Sequence, residues 1–95
     1  MRRFVWDEPK RLANLEKHGL LFEDVQNVDW ETAVIEPARP DRFGRSRSKA
    51  IGRFRDGTVV VIYSELGREG VSIISFRPAN EKERQVLYDQ TQTPH

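Results

Sequence analysis

The residues of this chain best suited to chemistry are the basic residues between positions 39 and 55. The stretch holds seven basic residues and a single acid, Asp41. Six of the seven are arginines, whose planar guanidinium group binds phosphate oxygens in pairs, so the composition favours phosphate binding. A solvated loop or a charged strand edge that deters aggregation has the same composition. The basic residues are Arg39, Arg42, Arg45, Arg47, Lys49, Arg53 and Arg55.

The net charge of the whole chain, +1, conceals this stretch. Residues 1–30 and 61–95 each carry a net charge of −1, and residues 31–60 carry +3. A net charge near zero argues against the strong overall field of a nucleic-acid-binding protein. The uneven distribution instead predicts one basic working face and an acidic back.

Three side chains outside the arginines could move protons or hold phosphate. His18 titrates near neutral pH and could act as a general acid or base, although a histidine in the last turn of a helix is also favoured there by the helix dipole. Glu65 could act as a base, but neighbouring arginines would lower its pKa and weaken it. Lys17 could bind phosphate as a point charge or simply be solvated.

Composition also bounds the class of protein. The 95 residues fit one domain, 1–95, which we expect to be ordered over about residues 3–90. The absence of cysteine excludes disulfides, thiolate zinc sites and cysteine nucleophiles. No carboxylate cluster or paired histidine spacing suggests a metal, so we expect neither metal nor cofactor. No apolar stretch approaches the roughly 18–20 residues of a membrane span or forms a signal-peptide core, which predicts a cytoplasmic protein without membrane contact.

The first helix is indicated by residues at its two ends. Asp7 is suited to cap the beginning of a helix over residues 8–18, and Gly19 supplies the left-handed residue that ends it. Leu12 and Leu15 give this helix a narrow apolar stripe, which we expect to face the core.

The remaining elements follow from periodicity and turn residues. Apolar spacing predicts a second short helix over residues 20–28. The strand that follows this helix must end before Pro37. Asp56-Gly57 favours a two-residue hairpin turn, and Asn80 with Glu83 has the spacing of a capping box at the start of the last helix. The predicted order is strand 4–6, helix 8–18, helix 20–28, strand 32–36, a polar loop 37–46, strands 49–53, 58–64 and 71–76, a helix after residue 80 and a frayed tail 91–95. This order predicts an α+β fold with helices packed on one face of an antiparallel sheet.

Five blocks of residues recur in a recognisable order over residues 4–88. The blocks are Phe4-x-Trp6-Asp7-x-x-Lys10-x-x-x-Asn14-x-x-Lys17-His18-Gly19-Leu20-x-Phe22, Arg47-x-x-x-Ile51-Gly52-Arg53, Val60-x-x-Tyr63-x-Glu65, Ile73-Ile74-Ser75-x-Arg77-x-Ala79 and Glu83-Arg84-x-x-x-Tyr88. In order and spacing they resemble the BrnT toxins, the ribonuclease half of a bacterial type II toxin–antitoxin pair.

The resemblance implies a fold, an activity and a partner. The fold would be RelE-like, and the activity would be metal-independent endoribonuclease cleavage of RNA that arrests translation. The partner would be a BrnA-type antitoxin with a ribbon-helix-helix DNA-binding domain, through which alone the complex would bind promoter DNA. Family members often carry Arg where Leu66 and Ser72 stand, so two basic side chains are missing here.

Cleavage of RNA without a metal needs a base for the ribose 2′-hydroxyl, cations for the phosphorane and an acid for the 5′-oxygen. Arg47 and Arg53 lie six positions apart on one predicted strand and therefore on the same face. Tyr63 could stack on a base or donate its phenol proton. The arginines could alternatively form surface ion pairs with Glu65 or Glu69. We expect the catalytic residues to be His18, Lys17, Glu65, Arg53 and Arg77, and the RNA-binding residues to be Arg45, Arg47, Lys49 and Tyr63.

Two other functions are also compatible with the sequence. The chain could be a non-catalytic BrnT-like partner of a DNA-binding repressor, which the missing arginines at Leu66 and Ser72 favour. It could also be a small RNA-binding protein that binds without cutting the strand.

Overall fold

The computed structural model describes residues 3–92, which form strands and helices in the predicted succession. In chain order these are β1 (Arg3–Trp6), α1 (Glu8–His18), a 3₁₀ helix (Phe22–Asn27), β2 (Val34–Ala38), β3 (Arg47–Phe54), β4 (Gly57–Leu66), β5 (Gly70–Pro78) and α2 (Glu81–Gln92). The second predicted helix is thus a 3₁₀ helix, which no side chain caps. Of the tail expected to fray, Thr91 and Gln92 belong to α2, and residues 93–95 lie outside the described residues.

The sheet has the strand order β1-β5-β4-β3-β2. Strands β2 to β5 pair antiparallel as predicted, whereas β1 runs parallel to β5 and pairs only with Gly70 to Ile73. The expectation of a purely antiparallel sheet is therefore wrong at this edge. Because β1 ends at Trp6, the second half of β5 has no strand on its outer side.

Helices cover both faces of the sheet, contrary to the prediction of one face. Side chains alternate along a strand, and neighbouring residues of β3 accordingly enter different cores. Ala50 packs in the cluster that holds Phe22 of the 3₁₀ helix, and Ile51 packs in the cluster that holds Leu87 of α2. We call the face covered by α2 the α2 face.

The stripe predicted to bury α1 does not face the core. Leu12 and Leu15 are 52% and 37% exposed, and the buried residue of α1 is Asn14. The caps are as predicted, since the Asp7 carboxylate accepts the Lys10 N–H at 3.2 Å and Gly19 ends the helix with φ +70°. The inward side of α1 is polar because it contacts backbone at the edge of β5.

Two further predictions, the end of β2 and the position of the hairpin turn, are wrong because strand pairing decides both. Pro37 lies inside β2 and pairs with Ser48, which is possible because β2 is an edge strand with one side unpaired. The hairpin between β3 and β4 turns at Arg55 and Asp56, because Phe54 pairs with Gly57. Arg55 takes the left-handed conformation at φ +56°.

Candidate active site

The buried amide of Asn14 fixes α1 to the outer edge of β5. Its Nδ2 donates to the Phe76 carbonyl at 2.8 Å and to the Leu20 carbonyl at 3.1 Å, and its Oδ1 accepts the Phe76 N–H at 3.0 Å. The side chain therefore replaces the strand that β1 does not provide at this position. One turn further on, α1 ends with Lys17 and His18.

His18 is half-buried at this end of α1. Burial disfavours the charged imidazolium, and the positive charges of Lys17 and Arg77 disfavour it further, so the pKa of His18 lies below its usual 6.5. The imidazole is neutral at pH 7 and able to accept a proton.

Strand register places the predicted basic residues of β3 on the α2 face. Arg47, Lys49 and Arg53 stand at alternate positions of β3 and share their face with Ile51, which packs against α2. The expectation that Arg47 and Arg53 point to the same face agrees with this register. Arg77 reaches the same face from β5, where it pairs with Val60 in β4.

The buried carboxylate of Glu83 gathers two of these cations. Both of its oxygens bind Arg77, at 2.8 Å each, and Oε2 also lies 2.7 Å from Lys49 Nζ. Glu83 is 5% exposed, and its Oε1 accepts the Asn80 N–H at 2.9 Å in the predicted capping box. Hydrogen bonds from Arg77 above all, and from Lys49 and Asn80, lower the pKa of Glu83 to about 2.

The charge state of Glu83 decides its chemistry. A carboxylate with a pKa of about 2 is ionised at neutral pH and too weak a base to take a proton from a hydroxyl group. Its effect is to hold the guanidinium of Arg77 and the ammonium of Lys49 in place. Lys49, predicted to bind RNA, thus supports this carboxylate, and it also lies 3.9 Å from Glu36.

Arg53 lies beside a different feature of the α2 face. It lines a cleft of about 350 Å³ together with Thr58, Arg84 and Tyr88. Its Nη2 donates to Thr91 Oγ1 at 3.2 Å, near the end of α2. Arg53 therefore contacts the last turn of α2, whereas Arg77 is bound by Glu83 in its first turn.

The structure does not bring Glu65 into this group. Glu65 pairs with Val71, six residues along β5 from Arg77, which corresponds to roughly 20 Å. Glu65 therefore lies well away from the cluster of Arg77, Glu83 and Lys49.

Tyr63 likewise cannot stack on RNA in the way the sequence suggested. It is 6% exposed and lies on the face opposite α2, where its ring meets Trp30 edge to face at 6.0 Å. The alternation of β4 side chains puts Tyr63 in the core because Val59 and Val61 share its face.

The remaining predicted RNA-binding residues lie at the junction of β2 and β3. Arg45 is largely exposed, and its Nε donates to Asp41 Oδ2 at 2.9 Å. Arg47 begins β3, with its Nε buried and without a hydrogen-bond acceptor among residues 3–92. Both side chains thus remain candidates to bind an anion.

Sequence reasoning placed Glu83 in a capping box and in the fifth sequence block but missed its ion pairs with Arg77 and Lys49. The signal that could have revealed them is the pairing of the strands. Once Lys49 and Arg77 are placed on the same face of β3 and β5, two cations flank the start of the last helix and require an acid there.

The described chain offers no group of three histidine or carboxylate side chains arranged to hold a metal ion. Neither helix of residues 3–92 is both long and apolar enough to cross a membrane.

Comparison with known proteins identifies the family. A family model described as "Ribonuclease toxin, BrnT, of type II toxin-antitoxin system" matches residues 6–83. The chain belongs to the BrnT family. A crystal structure of the Brucella abortus ribonuclease toxin BrnT is similar, with a TM-score of 0.70 and 36% identity over 85% of this chain and 100% of that chain. A search of curated protein sequences found no match.

Membership of the BrnT family confirms the resemblance seen in the five sequence blocks. The family is one of ribonuclease toxins of type II toxin–antitoxin systems, and such a toxin implies an antitoxin partner. The structure also locates Leu66 and Ser72, the two positions at which the resemblance led us to expect arginine. Ser72 lies opposite Ser64 on β4, and Leu66 is exposed at the end of that strand.

Proposed function

We propose that this chain is an endoribonuclease toxin that cleaves RNA without a metal ion and thereby arrests translation. The observation that carries the proposal is the half-buried His18, whose pKa is lowered first by burial and further by the positive charges of Lys17 and Arg77. The buried carboxylate of Glu83 holds Arg77 in place. His18 and Arg77 supply a base and a phosphate ligand within a family of ribonuclease toxins. Assignment of the fold to the RelE-like superfamily is part of the proposal and is supported by the sequence blocks.

The reaction we propose is an internal transesterification of RNA. His18 accepts the proton of the ribose 2′-hydroxyl, and the 2′-oxygen forms a bond to the adjacent phosphorus. Arg77 stabilises the negative charge that develops on the phosphorane oxygens. The bond from phosphorus to the 5′-oxygen then breaks, and Lys17 supplies the proton to that oxygen. The products are a 2′,3′-cyclic phosphate and a 5′-hydroxyl.

The other residues take supporting roles in this proposal. Glu83 and Lys49 position Arg77 and do not touch the substrate. Arg53 binds RNA backbone at the cleft beside Arg84, and Arg45 and Arg47 bind it near the start of β3. In this proposal Glu65 is not a catalytic residue and Tyr63 does not bind RNA, although the sequence suggested both roles.

We propose that the partner is a BrnA-type antitoxin whose ribbon-helix-helix domain binds promoter DNA for the complex. The exposed side of α1 is suited to receive it, because Leu12 and Leu15 present apolar surface within two turns of His18. An antitoxin segment on this surface would cover the base and block access of RNA to it.

Expression of the chain alone in a bacterial host tests the toxin function. We expect growth to stop and incorporation of labelled amino acids to fall, while His18→Ala, produced in equal amount, leaves both normal. Co-expression of the adjacent reading frame should restore growth if it encodes the antitoxin. Normal protein synthesis with the wild-type chain would contradict the proposal and favour a non-catalytic partner of a repressor. RNA binding without strand cleavage would favour a simple RNA-binding protein.

A further inference from the structure

The loop between β2 and β3 is a built turn that presents one aromatic ring to solvent. Oδ1 of Asp41 accepts the N–H groups of Phe43 and Arg45 at 2.8 and 2.9 Å, and the Asp41 N–H donates to the Arg45 carbonyl at 3.0 Å. These backbone hydrogen bonds, Arg45's first, lower the pKa of Asp41 and keep it charged. Gly44 closes the turn at φ +80°, a conformation that favours glycine. The tip of the loop is therefore preorganised.

Phe43 is the ring at this tip, and it is 69% exposed, more than any other large hydrophobic side chain of residues 3–92. The guanidinium carbons of Arg42 and Arg45 lie 5.0 and 5.4 Å from its centroid. An exposed phenylalanine between two arginines contributes little to a core, but it combines a flat π surface with adjacent positive charge.

We propose that Phe43 stacks on an unpaired base of single-stranded RNA while Arg42 and Arg45 contact the neighbouring phosphates. Aromatic rings on a basic surface are the means by which proteins bind single strands, because every unpaired base offers a π face. Bases inside a duplex are stacked on each other and leave no face for the ring. The proposal rests on the proposed ribonuclease function and specifies its substrate as single-stranded RNA.

The position of the loop fits one strand of RNA that also reaches Arg77. Arg47 follows the loop directly and lies on the α2 face, four residues along and two strands across from Arg77. This separation is roughly 16 Å between Cα atoms, which a few nucleotides span. Arg47 and the loop would thus bind nucleotides on one side of the scissile phosphate.

Fluorescence anisotropy with the full chain and a labelled 2′-O-methyl RNA oligonucleotide tests the proposal, because this probe cannot be cleaved through the 2′-oxygen. We expect Phe43→Ala and Phe43→Leu each to weaken binding roughly 5- to 150-fold, the range for loss of one base–aromatic stack, and Phe43→Trp to preserve it. Leu66→Ala, at another exposed apolar side chain, is the matched control and should bind as the wild type does. None of these exposed substitutions should lower the melting temperature.

Two further probes separate stacking from other contacts. Binding to a duplex of the same sequence, and to a single strand of abasic residues, should not depend on Phe43. Wild-type RNA affinity of Phe43→Leu would overturn the proposal. If the same variant also lost binding of the antitoxin, the loop would be a protein contact. Cleavage of RNA without binding of the probe would also overturn it while leaving the ribonuclease function intact. Phe43-dependent binding without cleavage would contradict only the ribonuclease function.

Discussion

The side-chain amide of Asn14 pairs with both backbone groups of Phe76 and so acts as the missing strand at the edge of β5. This contact joins positions 62 residues apart in the chain. It fixes the last turns of α1 against β5 and thereby positions His18 relative to Arg77, which follows Phe76 directly. The position of the base and the position of the phosphate ligand thus depend on the same hydrogen bonds.

Removal of the Asn14 amide should destabilise the protein. Asn14→Ala leaves the buried N–H and carbonyl of Phe76 without partners, and we expect a loss of about 2–4 kcal/mol in the free energy of unfolding. For a domain of this size that corresponds to a melting temperature lower by roughly 10–25 °C in calorimetry. Asn27→Ala is the control, because Asn27 is exposed and its side chain donates to Asp24 Oδ1 over a long 3.5 Å. Equal melting temperatures for the two variants would show that the edge of β5 does not need Asn14.

Loss of the Glu83 charge should destabilise the protein in a pH-dependent way. Glu83→Gln keeps an acceptor for the Asn80 N–H but removes the carboxylate that both Arg77 and Lys49 bind, at a cost of about 3 kcal/mol at pH 7. The folded pKa of about 2 lies below the ordinary 4.5, so the stabilisation is complete above pH 4.5 and is lost as the pH falls towards 2. Urea unfolding of the two proteins at several pH values should therefore converge under acid conditions. Glu81→Gln, in the exposed first turn of α2, should match the wild type throughout, and a pH-independent gap for Glu83→Gln would contradict the ion-pair explanation.

The titration of His18 can be followed directly by NMR. His95→Gln leaves His18 as the only histidine, and we expect its imidazole to titrate below pH 6.5. Lys17→Gln removes a nearby positive charge and should move the midpoint to higher pH, whereas Lys10→Gln, two turns earlier in α1, should leave it unchanged. Because the base works in its neutral form, kcat/KM should fall on the acid side with the same midpoint. A midpoint above 6.5, or one insensitive to Lys17, would show that the imidazole lies in a different environment.

The exposed side of α1 should be needed for neutralisation and not for folding. Leu12→Glu and Leu15→Glu change exposed side chains, so we expect stability to shift by less than about 0.5 kcal/mol. Binding of the antitoxin should weaken roughly 10- to 100-fold in calorimetric titration, because charge enters an apolar contact. Ile35→Glu, on the edge strand at the far side of the sheet, serves as control. Full neutralisation of both α1 variants would place the antitoxin elsewhere.

Sequence reasoning succeeded where the information is local and failed where it depends on strand pairing. The caps of α1 and α2 follow from residues three positions apart, Asp7 with Lys10 and Asn80 with Glu83, and the structure has both. Pairing between strands far apart in the chain sets three features that the sequence did not reveal. These are the parallel pairing of β1, the burial of Tyr63 and the distance from Glu65 to Arg77. The role of Asn14 is of the same kind, because a polar residue within a helix does not indicate which backbone it will meet.

Metal-independent cleavage with His18 as the base is tested most directly by the products of RNA digestion in excess EDTA. The purified chain should cut a single-stranded RNA to fragments with 2′,3′-cyclic phosphate and 5′-hydroxyl ends, at a rate that added Mg²⁺ does not change. His18→Ala should slow the reaction roughly 10²- to 10⁴-fold while retaining RNA binding. Cleavage that requires Mg²⁺, fragments with 5′-phosphate ends, or full activity of His18→Ala would contradict the mechanism.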